Sequence, residues 1–330
     1  MRVADYLMSR LADAGAEHVF LLPGGGAMYL NDALVCEKRL VPVPCHHEQA
    51  CGIAAEAWGR IRETFGVCMV TTGPGATNAI TPVAGAWIES TPLLVISGQV
   101  KRSDQLAGRP LRQGGVQEVD IVPIVKSITK YAVTVNDPQQ IRYHLERALH
   151  EMKDGRNGPV WLDIPLDVQA ATVNPETLPK FTPAPQAKQD LAAAAAQLMA
   201  LIGEAKRPLL LAGHGVRLAG AAKEFMALAE HLQIPVATTW NALDILPWEH
   251  PLCVGRPGVV ALRSANFAVQ NCDLLISIGC RLDNIITAYN PRGFARAAKK
   301  VVVDVDANEI AKLDMAIDLS VVADAKALLD

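Results

Sequence analysis

The sequence predicts an α/β protein with two doubly wound parallel-sheet domains. Half of its 330 residues are hydrophobic and a fifth are charged, which is enough apolar sequence for two cores. Eight short apolar runs alternate with helical patterns: HVFLLP, VCMVTT, PLLVISG, PVWLDIP, PLLLAG, PVATT, LLISIG and KVVVDVD. Such runs are typical of strands buried on both faces, and their alternation with helices favours parallel sheets covered by helices.

A proline-rich segment separates the two halves of the chain. The apolar periodicity stops after Gln169, and four prolines lie between residues 175 and 185. The alanine-rich stretch that follows, DLAAAAAQLMALIGEA, favours a helix. We therefore expect a first domain over residues 1–172, a linker over residues 173–189 and a second domain over residues 190–330.

Charge and cysteine content exclude several classes of function. The 31 basic and 34 acidic residues give a net charge of -3 without a basic cluster, so nucleic acid is not an expected partner. The N-terminus lacks a signal-peptide pattern, and no apolar run reaches the roughly 20 residues of a membrane-spanning helix. We expect a cytoplasmic protein without a membrane partner. None of the seven cysteines forms a CxxC pair, which indicates buried apolar residues.

Glu48 is the leading candidate functional residue. In PCHHEQACGIAAEAWGR it follows the apolar stretch LVPVP and begins an alanine-rich helix. Such an acid is either an ordinary helix-start carboxylate or a buried functional acid, and this segment alone leaves both interpretations open. His46 and His47 precede it. An imidazole there is either structural or able to move a proton or orient a carboxylate substrate, and His47 is the stronger candidate.

Two glycine-rich segments follow predicted strands. Gly24, Gly25 and Gly26 come after the first apolar run, and the segment GPGATN extends from Gly73 to Asn78 after the second. Each is either a plain turn between a strand and a helix or a place where backbone N–H groups approach a ligand.

The order of these motifs resembles that of the thiamine-diphosphate enzymes, within them the acetohydroxyacid (acetolactate) synthase and pyruvate oxidase group. The resemblance begins with LLPGGGAMYL, HHEQACGIAAEAWGR and TTGPGATNAITPVAGAWIESTPLLVISGQV, and extends through NGPVWLDIPLDVQ and DLLISIGCRLDN to VVVDVDANEI. It implies a pyrimidine-binding domain followed by a Rossmann-like central domain. The implied activity decarboxylates a 2-oxo acid such as pyruvate and transfers the acyl-anion unit to a carbonyl acceptor. A decarboxylase or oxidase of the same family, or a catalytically silent nucleotide-binding relative, is the alternative.

The resemblance also implies roles for the first-domain residues. The carboxyl of Glu48 would hydrogen-bond N1′ of the aminopyrimidine and favour the imino tautomer, whose nitrogen removes the proton from thiazolium C2. This role requires Glu48 to be protonated part of the time, and so an apolar surround. The glycine triplet would face the reacting end of the cofactor, and Gly73, Pro74 and Asn78 would lie beside the pyrimidine ring.

The segment GGVQE resembles an FQE segment of the acetohydroxyacid synthases, in which the glutamine lies at the active site. Gln117 matches that glutamine, whereas Val116 stands where the family has a phenylalanine that shapes the substrate pocket. A smaller side chain enlarges the pocket, so the acceptor can be a second 2-oxo acid or another carbonyl compound, including a keto-sugar.

The second half of the chain does not contain a GxGxxG dinucleotide motif after its first strand, because the glycines of LLLAGHGVRLAGA have another spacing. In flavin-containing members of the family the central domain binds FAD, whereas other members keep the fold with an altered cleft. The segments GCRLDN and DVDANEI favour FAD, with an arginine for phosphate and acids for ribose hydroxyls. The implied contact residues are Gly213, His214, Gly215, Arg281, Asp283, Asp304 and Asp306.

The sequence contains no GDG…N segment, through which the family binds Mg²⁺ or Ca²⁺ and the diphosphate. We therefore expect either a chain cut at a domain edge or a separate diphosphate-binding subunit. In both cases this chain alone would be inactive, and Glu48 would meet the thiazolium across an interface. The expected assembly is a homodimer, a tetramer or a complex with that subunit.

Overall fold

The computed structural model describes residues 1–106, 108–185 and 190–330, which form two compact units divided between residues 185 and 186. Each unit contains a six-stranded parallel sheet with helices packed on it. The predicted fold class is therefore confirmed. The last four residues of the predicted linker, 186–189, lie outside the described residues. Earlier in that segment, Val173 and Leu178 are buried in the core of the first unit.

The first unit has the strand order β2-β1-β3-β4-β6-β5. Its strands are β1 (His18–Leu21), β2 (Val41–Pro44), β3 (Gly66–Val70), β4 (Leu93–Gln99), β5 (Tyr131–Thr134) and β6 (Val160–Pro165). Its α-helices are α1 (Val3–Asp13), α2 (Met28–Cys36), α3 (Glu48–Ile61), α4 (Pro74–Asn78), α5 (Ile80–Glu89), α6 (Ile121–Val125), α7 (Ile141–Glu151) and α8 (Leu166–Ala170).

The second unit has the strand order β12-β11-β10-β7-β8-β9. Its strands are β7 (Pro208–Ala212), β8 (Val236–Thr238), β9 (Cys253–Gly255), β10 (Leu274–Ile278), β11 (Lys299–Asp304) and β12 (Leu319–Val322). Its α-helices are α9 (Ala192–Glu204), α10 (His214–Leu218), α11 (Ala222–Leu232), α12 (Arg263–Asn271), α13 (Ala307–Ala311) and α14 (Ala325–Leu329).

The eight predicted strands are the inner strands of the two sheets, and the sequence patterns missed β2, β5, β9 and β12. These four lie at the sheet edges, where one side of the strand has no neighbouring strand. Every residue of β3 and β4 is buried, whereas β2 alternates only between exposed and intermediate residues. An edge strand does not need a continuous apolar run, so this signal is weak at the edges.

Both sheets reverse their strand order near the middle. In the first unit the reversal lies between β1 and β3, and in the second it lies between β7 and β10. Loops that leave neighbouring parallel strands in opposite directions open a crevice at the carboxyl ends of those strands. The glycine triplet follows β1 and GPGATN follows β3, so both motifs lie at the crevice of the first unit.

Helix α3 packs closely on β3 because small residues form the contact. An ideal Cβ built on Gly66 would overlap the backbone of Ala55, and one built on Gly59 would lie 2.7 Å from the backbone nitrogen of Gly66. A third small residue, Gly52, packs in the same way against Pro82. This approach fixes the position of the helix and therefore of Glu48, its first residue.

The cysteines are all free, but they are not uniformly buried. Cys51, Cys68, Cys272 and Cys280 are buried, as the sequence predicts, whereas the prediction is wrong for Cys36, which is exposed. Cys36 is the last residue of α2, where the helix face turns outward. Within the described ranges, no helix combines the length and the apolar character that crossing a bilayer requires.

Asp163 lies fully buried in β6 and accepts three hydrogen bonds. Ser97 Oγ donates to Oδ1 at 2.6 Å, while Gln99 Nε2 and Thr134 Oγ1 donate to Oδ2 at 3.1 and 3.2 Å. Burial raises the pKa of the Asp163 carboxyl to about 7, although the three donors stabilise its charged form and oppose the rise. The carboxyl therefore changes its charge near neutral pH inside the core.

We predict that Asp163→Asn changes how stability depends on pH. The pKa of Asp163 is raised in the folded state, so the folded chain holds more protons than the unfolded chain between about pH 4 and pH 7. The free energy of unfolding should then fall with rising pH in wild type relative to the variant. The expected relative loss from pH 5 to pH 8 is on the order of 2 kcal/mol. Urea denaturation at both pH values measures it, and a constant difference between the two proteins would contradict the prediction.

Candidate functional site

Glu48 is buried at the N-terminus of α3, with 7% of its surface exposed. Asn78 Nδ2, at the end of α4, donates a hydrogen bond of 3.0 Å to Glu48 Oε2. The other carboxylate oxygen, Oε1, lies 3.4 Å from the position of an ideal Cβ on Gly75. A glycine at that position therefore leaves space beside the carboxylate.

A buried apolar cluster lies beside Glu48. Cys51, one turn further along α3, and Cys68 in β3 belong to the same buried cluster as Phe20 and Ala76. Burial raises the pKa of the Cys51 thiol to about 12, with smaller contributions from Cys45 and Glu48, and burial also raises the pKa of the Cys68 thiol. Glu48 therefore lies beside a buried apolar cluster.

His46 and His47 are both exposed. His47 is the N-cap of α3, and its Nδ1 accepts a hydrogen bond of 3.1 Å from the backbone N–H of Gln49. A neutral His47 must therefore carry its proton on Nε2. The cap gives this residue a structural role at the start of the helix, which leaves Nε2 to act as a donor.

The glycine triplet packs against the residues that follow β3. The backbone N–H of Gly26 donates to Thr71 Oγ1 at 3.0 Å, and an ideal Cβ on Gly24 would overlap the Thr71 side chain. Gln169 Nε2 donates to the Gly26 carbonyl at 2.8 Å. Gly25, in contrast, has open space where its Cβ would be. Two of the three glycines are thus required by packing within the first unit.

Gly73 and Gln117 are in direct contact. Gly73 has a φ of +61°, which favours glycine, and an ideal Cβ there would overlap the carbonyl oxygen of Gln117. Gln117 also has a positive φ of +61°, although it carries a side chain. Pro74 begins α4 directly after Gly73. The turn after β3 and the loop with Gln117 therefore lie against each other.

Glu118, which the sequence patterns did not single out, organises the Gln117 loop. Its Oε1 accepts the backbone N–H of Leu106 at 2.5 Å, and its Oε2 accepts those of Gly114 and Gly115 at 2.7 and 3.0 Å. Burial pushes the pKa of Glu118 upward, but these three donors outweigh it and lower the pKa below its usual value. In the same loop Val116, which precedes Gln117, is 85% exposed.

The structure thus brings the first-unit candidates together around residues 71–78. This segment hydrogen-bonds to Glu48, packs against the glycine triplet and contacts Gln117. The two histidines adjoin Glu48 in the chain but extend into solvent. Among the residues that the structure describes, no group of three or more His, Cys, Asp and Glu side chains is arranged to hold a metal ion.

In the second unit the candidates surround the crevice between β7 and β10. An ideal Cβ on Gly213 would overlap the carbonyl of Gly279, and one on Gly215 would lie 2.7 Å from Gly279 Cα. The loops after these two strands therefore touch through backbone atoms. His214 Nδ1 lies 3.1 Å from the carbonyl oxygen of Asn241.

The charged candidates of this unit take part in local interactions. Arg281 Nε lies 3.4 Å from Glu309 Oε1. The acids each accept a backbone N–H at 2.9 Å, Asp283 from Ile285, Asp304 from Asp306 and Asp306 from Asn308. Each of these carboxylates therefore stabilises a turn at the end of β10 or β11.

Comparison with known families identifies the class of protein. Residues 1–124 match the family described as "Thiamine pyrophosphate enzyme, N-terminal TPP binding domain", and residues 195–330 match "Thiamine pyrophosphate enzyme, central domain". The chain therefore belongs to the thiamine pyrophosphate enzymes. The first match contains Glu48 and every other candidate residue of the first unit.

Individual relatives indicate which group within this family the chain is most similar to. The chain is 36% identical to the "Probable acetolactate synthase large subunit" of Methanocaldococcus jannaschii over 334 residues, which cover 100% of this chain and 55% of the relative. It is 38% identical to the "Acetolactate synthase large subunit" of Corynebacterium glutamicum over 336 residues, covering 100% and 52%. For the "Acetolactate synthase isozyme 1 large subunit" of Escherichia coli the identity is 35% over 310 residues, covering 94% and 54%. The chain spans about half the length of these curated relatives.

We predict that Gly73→Ala destabilises the first unit by roughly 3 kcal/mol, because the added Cβ meets the Gln117 carbonyl and the positive φ is unfavourable for alanine. Gly25→Ala is the matched control, since nothing lies within 4 Å of its Cβ position. It should change the free energy of unfolding by less than about 0.5 kcal/mol. Urea denaturation measures both, and equal effects would show that the contact between Gly73 and Gln117 is not restrictive.

Proposed function

We propose that the chain is part of a thiamine-diphosphate-dependent carboligase of the acetolactate synthase type. The observation that carries this proposal is the buried carboxylate of Glu48, paired with Asn78 in a domain that matches the N-terminal TPP binding domain. The names of the relatives support the same type of reaction.

The residues around Glu48 fit the aminopyrimidine of this cofactor. When bound, thiamine diphosphate supplies the carbon nucleophile and the electron sink for decarboxylation of a 2-oxo acid. Glu48 would exchange a proton with N1′ of the ring, and its apolar surround would keep bulk water away from that proton. Asn78 would hold the carboxyl in one orientation through Oε2. Gly75, by lacking a side chain, would leave room beside Oε1.

We assign Gln117 and His47 to the substrate side of the site. The amide of Gln117 can donate to a carbonyl or carboxylate oxygen, and its loop lies against Gly73. His47 would donate from Nε2, because Nδ1 is occupied by the helix cap. Gly24, Gly25, Gly26 and Pro74 would contact the cofactor mainly through backbone atoms and shape.

The donor substrate that we propose is pyruvate, and the acceptor is a second carbonyl compound. The names of the relatives favour a second 2-oxo acid. Because Val116 leaves more space than a phenylalanine, other acceptors fit the same mechanism. A decarboxylase or oxidase would use Glu48 in the same way, and product analysis after incubation with pyruvate separates the three reactions.

Further parts of the enzyme are needed for activity. The printed sequence has no GDG…N segment, so we place Mg²⁺ and the diphosphate on a module that carries one, in the same polypeptide or in a separate subunit. The assembled enzyme would be a homodimer, a tetramer or a complex with that subunit. A cytoplasmic location stays a prediction.

We predict that Glu48→Gln lowers kcat for pyruvate turnover of the assembled enzyme by about 10²-fold or more, because an amide cannot pass a proton to N1′. Glu56→Gln removes a carboxylate from the same helix and is the control. Glu56 pairs with Arg60 at 3.0 Å, away from Asn78, so its kcat should stay within about twofold. Equal turnover in wild type and Glu48→Gln would exclude the proposed role of Glu48, whereas a wild-type enzyme without turnover would leave the catalytically silent alternative.

We further propose that the second unit binds FAD at the crevice between β7 and β10. The supporting observation is the backbone contact of Gly213 and Gly215 with Gly279, which brings the loops after β7 and β10 together at the crevice. Arg281 would pair with a phosphate and His214 would border the cofactor. The acids Asp283, Asp304 and Asp306 would offer carboxylate oxygens to ribose hydroxyls while they hold their turns. A relative with the same fold and an altered cleft is the alternative.

We predict that the purified assembled protein is yellow and shows a flavin absorbance spectrum. Heat denaturation should release the flavin, and mass spectrometry should identify it as FAD. Arg281→Ala, which removes the proposed phosphate partner from a side chain that is 42% exposed, should lower the amount of bound flavin by about tenfold while the central unit remains folded. A colourless wild-type protein that takes up no added FAD would exclude this proposal without affecting the one for Glu48.

A further inference from the structure

The carboxamide of Gln99 is buried at the end of β4 and makes four hydrogen bonds. Its Nε2 donates to the Val119 carbonyl at 2.8 Å and to Asp163 Oδ2 at 3.1 Å. Its Oε1 accepts from Thr72 Oγ1 at 2.8 Å and from the Val100 N–H at 2.9 Å. Both protons of the amide nitrogen and both acceptor positions of the oxygen are therefore used.

These four contacts fix the orientation of the amide. The nitrogen faces a carbonyl and a carboxylate, and the oxygen faces a hydroxyl and a backbone N–H. A flipped amide would place oxygen against Val119 and Asp163 and leave acceptors without donors. Among the side chains of similar size, only glutamine offers two donors and two acceptors at these positions.

Gln99 is the point at which three candidate segments meet. Thr72 directly precedes Gly73, and its Cγ2 would lie 2.9 Å from an ideal Cβ on Gly26. Val119 follows Gln117 by two residues. The Gln99 side chain thus connects the turn after β3, the glycine triplet packed on that turn and the Gln117 loop.

Asp163 accepts a hydrogen bond from Gln99, and other residues of the sheet fix the position of the Asp163 carboxyl in turn. Ser97 Oγ donates to Asp163 at 2.6 Å and accepts a hydrogen bond of 2.8 Å from Trp161 Nε1. Trp161 is fully buried in β6. The network therefore extends from the rigid centre of the sheet to the loops at its carboxyl end.

We propose that Gln99 is a positioning residue that sets the Gln117 loop against the Gly73 turn. Its role in turnover rests on the proposed function. Glu118 holds the loop from within through three backbone N–H groups, whereas Gln99 anchors the loop to the sheet. Loss of Gln99 should leave the loop folded on itself but displaced from the turn.

The first test measures hydrogen–deuterium exchange of residues 114–120 in the 330-residue chain. Gln99→Leu should speed exchange in this segment by about tenfold, because the anchor to the sheet is lost. Thr129→Val is the control, since it removes a buried hydrogen bond of 2.9 Å to the Val125 carbonyl in the same unit without touching Gln99. Its exchange in the segment should match wild type. Unchanged exchange in the folded Gln99→Leu chain would overturn the proposal.

Gln99→Met is the second variant if Gln99→Leu does not fold. It keeps the length of the side chain but removes the amide donors to Val119 and Asp163 and the acceptor oxygen. The same faster exchange is expected. Exchange equal to wild type in this variant would also overturn the proposal.

The second test measures pyruvate turnover by the assembled enzyme. Gln99→Leu should lower kcat by about 10- to 100-fold, since a small displacement of groups at a reacting centre has effects of this size. Thr129→Val should keep kcat within about twofold. Faster exchange with unchanged kcat would overturn the role of Gln99 in the reaction. A wild-type enzyme that does not use pyruvate would instead reject the proposed function, and the exchange test would still decide whether Gln99 positions the loop.

Discussion

The close contact between helix α3 and strand β3 is the constraint on which the first site depends. Gly52, Gly59 and Gly66 allow the helix to lie almost at backbone distance from its neighbours, and this packing fixes the N-terminal end of the helix. A carboxylate at that end is then held in an apolar surround, with Asn78 as its hydrogen-bonding partner. The burial of Glu48 therefore depends on Gly52 and Gly59, which lack side chains and lie further along the same helix.

The sequence predicts the inner part of each sheet well and its margins poorly. Strands buried on both faces leave continuous apolar runs, whereas β2, β5, β9 and β12 have only one neighbouring strand and are not continuously buried. The residues of the site also divide into those that the sequence predicts and those that it does not. Glu48 and the glycine segments belong to contiguous motifs. Gln99 and Glu118 also act through distant partners, Asp163 at 64 positions from Gln99 and Leu106 at 12 positions from Glu118, and no local pattern reports such contacts.

The two units support their proposed ligands in different ways. In the first unit, candidates from separate segments contact one another around residues 71–78. In the second unit, the acids that resemble cofactor contacts already stabilise their own turns. A residue at the end of a strand can thus match a family pattern because the turn needs it, because a ligand needs it, or for both reasons. The contacts of Gly213 and Gly215 with Gly279 add a further structural reason, because they pack two loops against each other through backbone atoms.

For the proposed carboligase, the backbone of Gln117 restricts how the range of acceptors could be altered. Its left-handed conformation is especially unfavourable for β-branched side chains, so β-branched substitutions at this position would add backbone strain. Val116 next to it is 85% exposed, and its side chain can be enlarged without disturbing a packed core. Directed evolution of this loop would therefore find more tolerated substitutions at Val116, the residue that precedes Gln117, than at Gln117 itself.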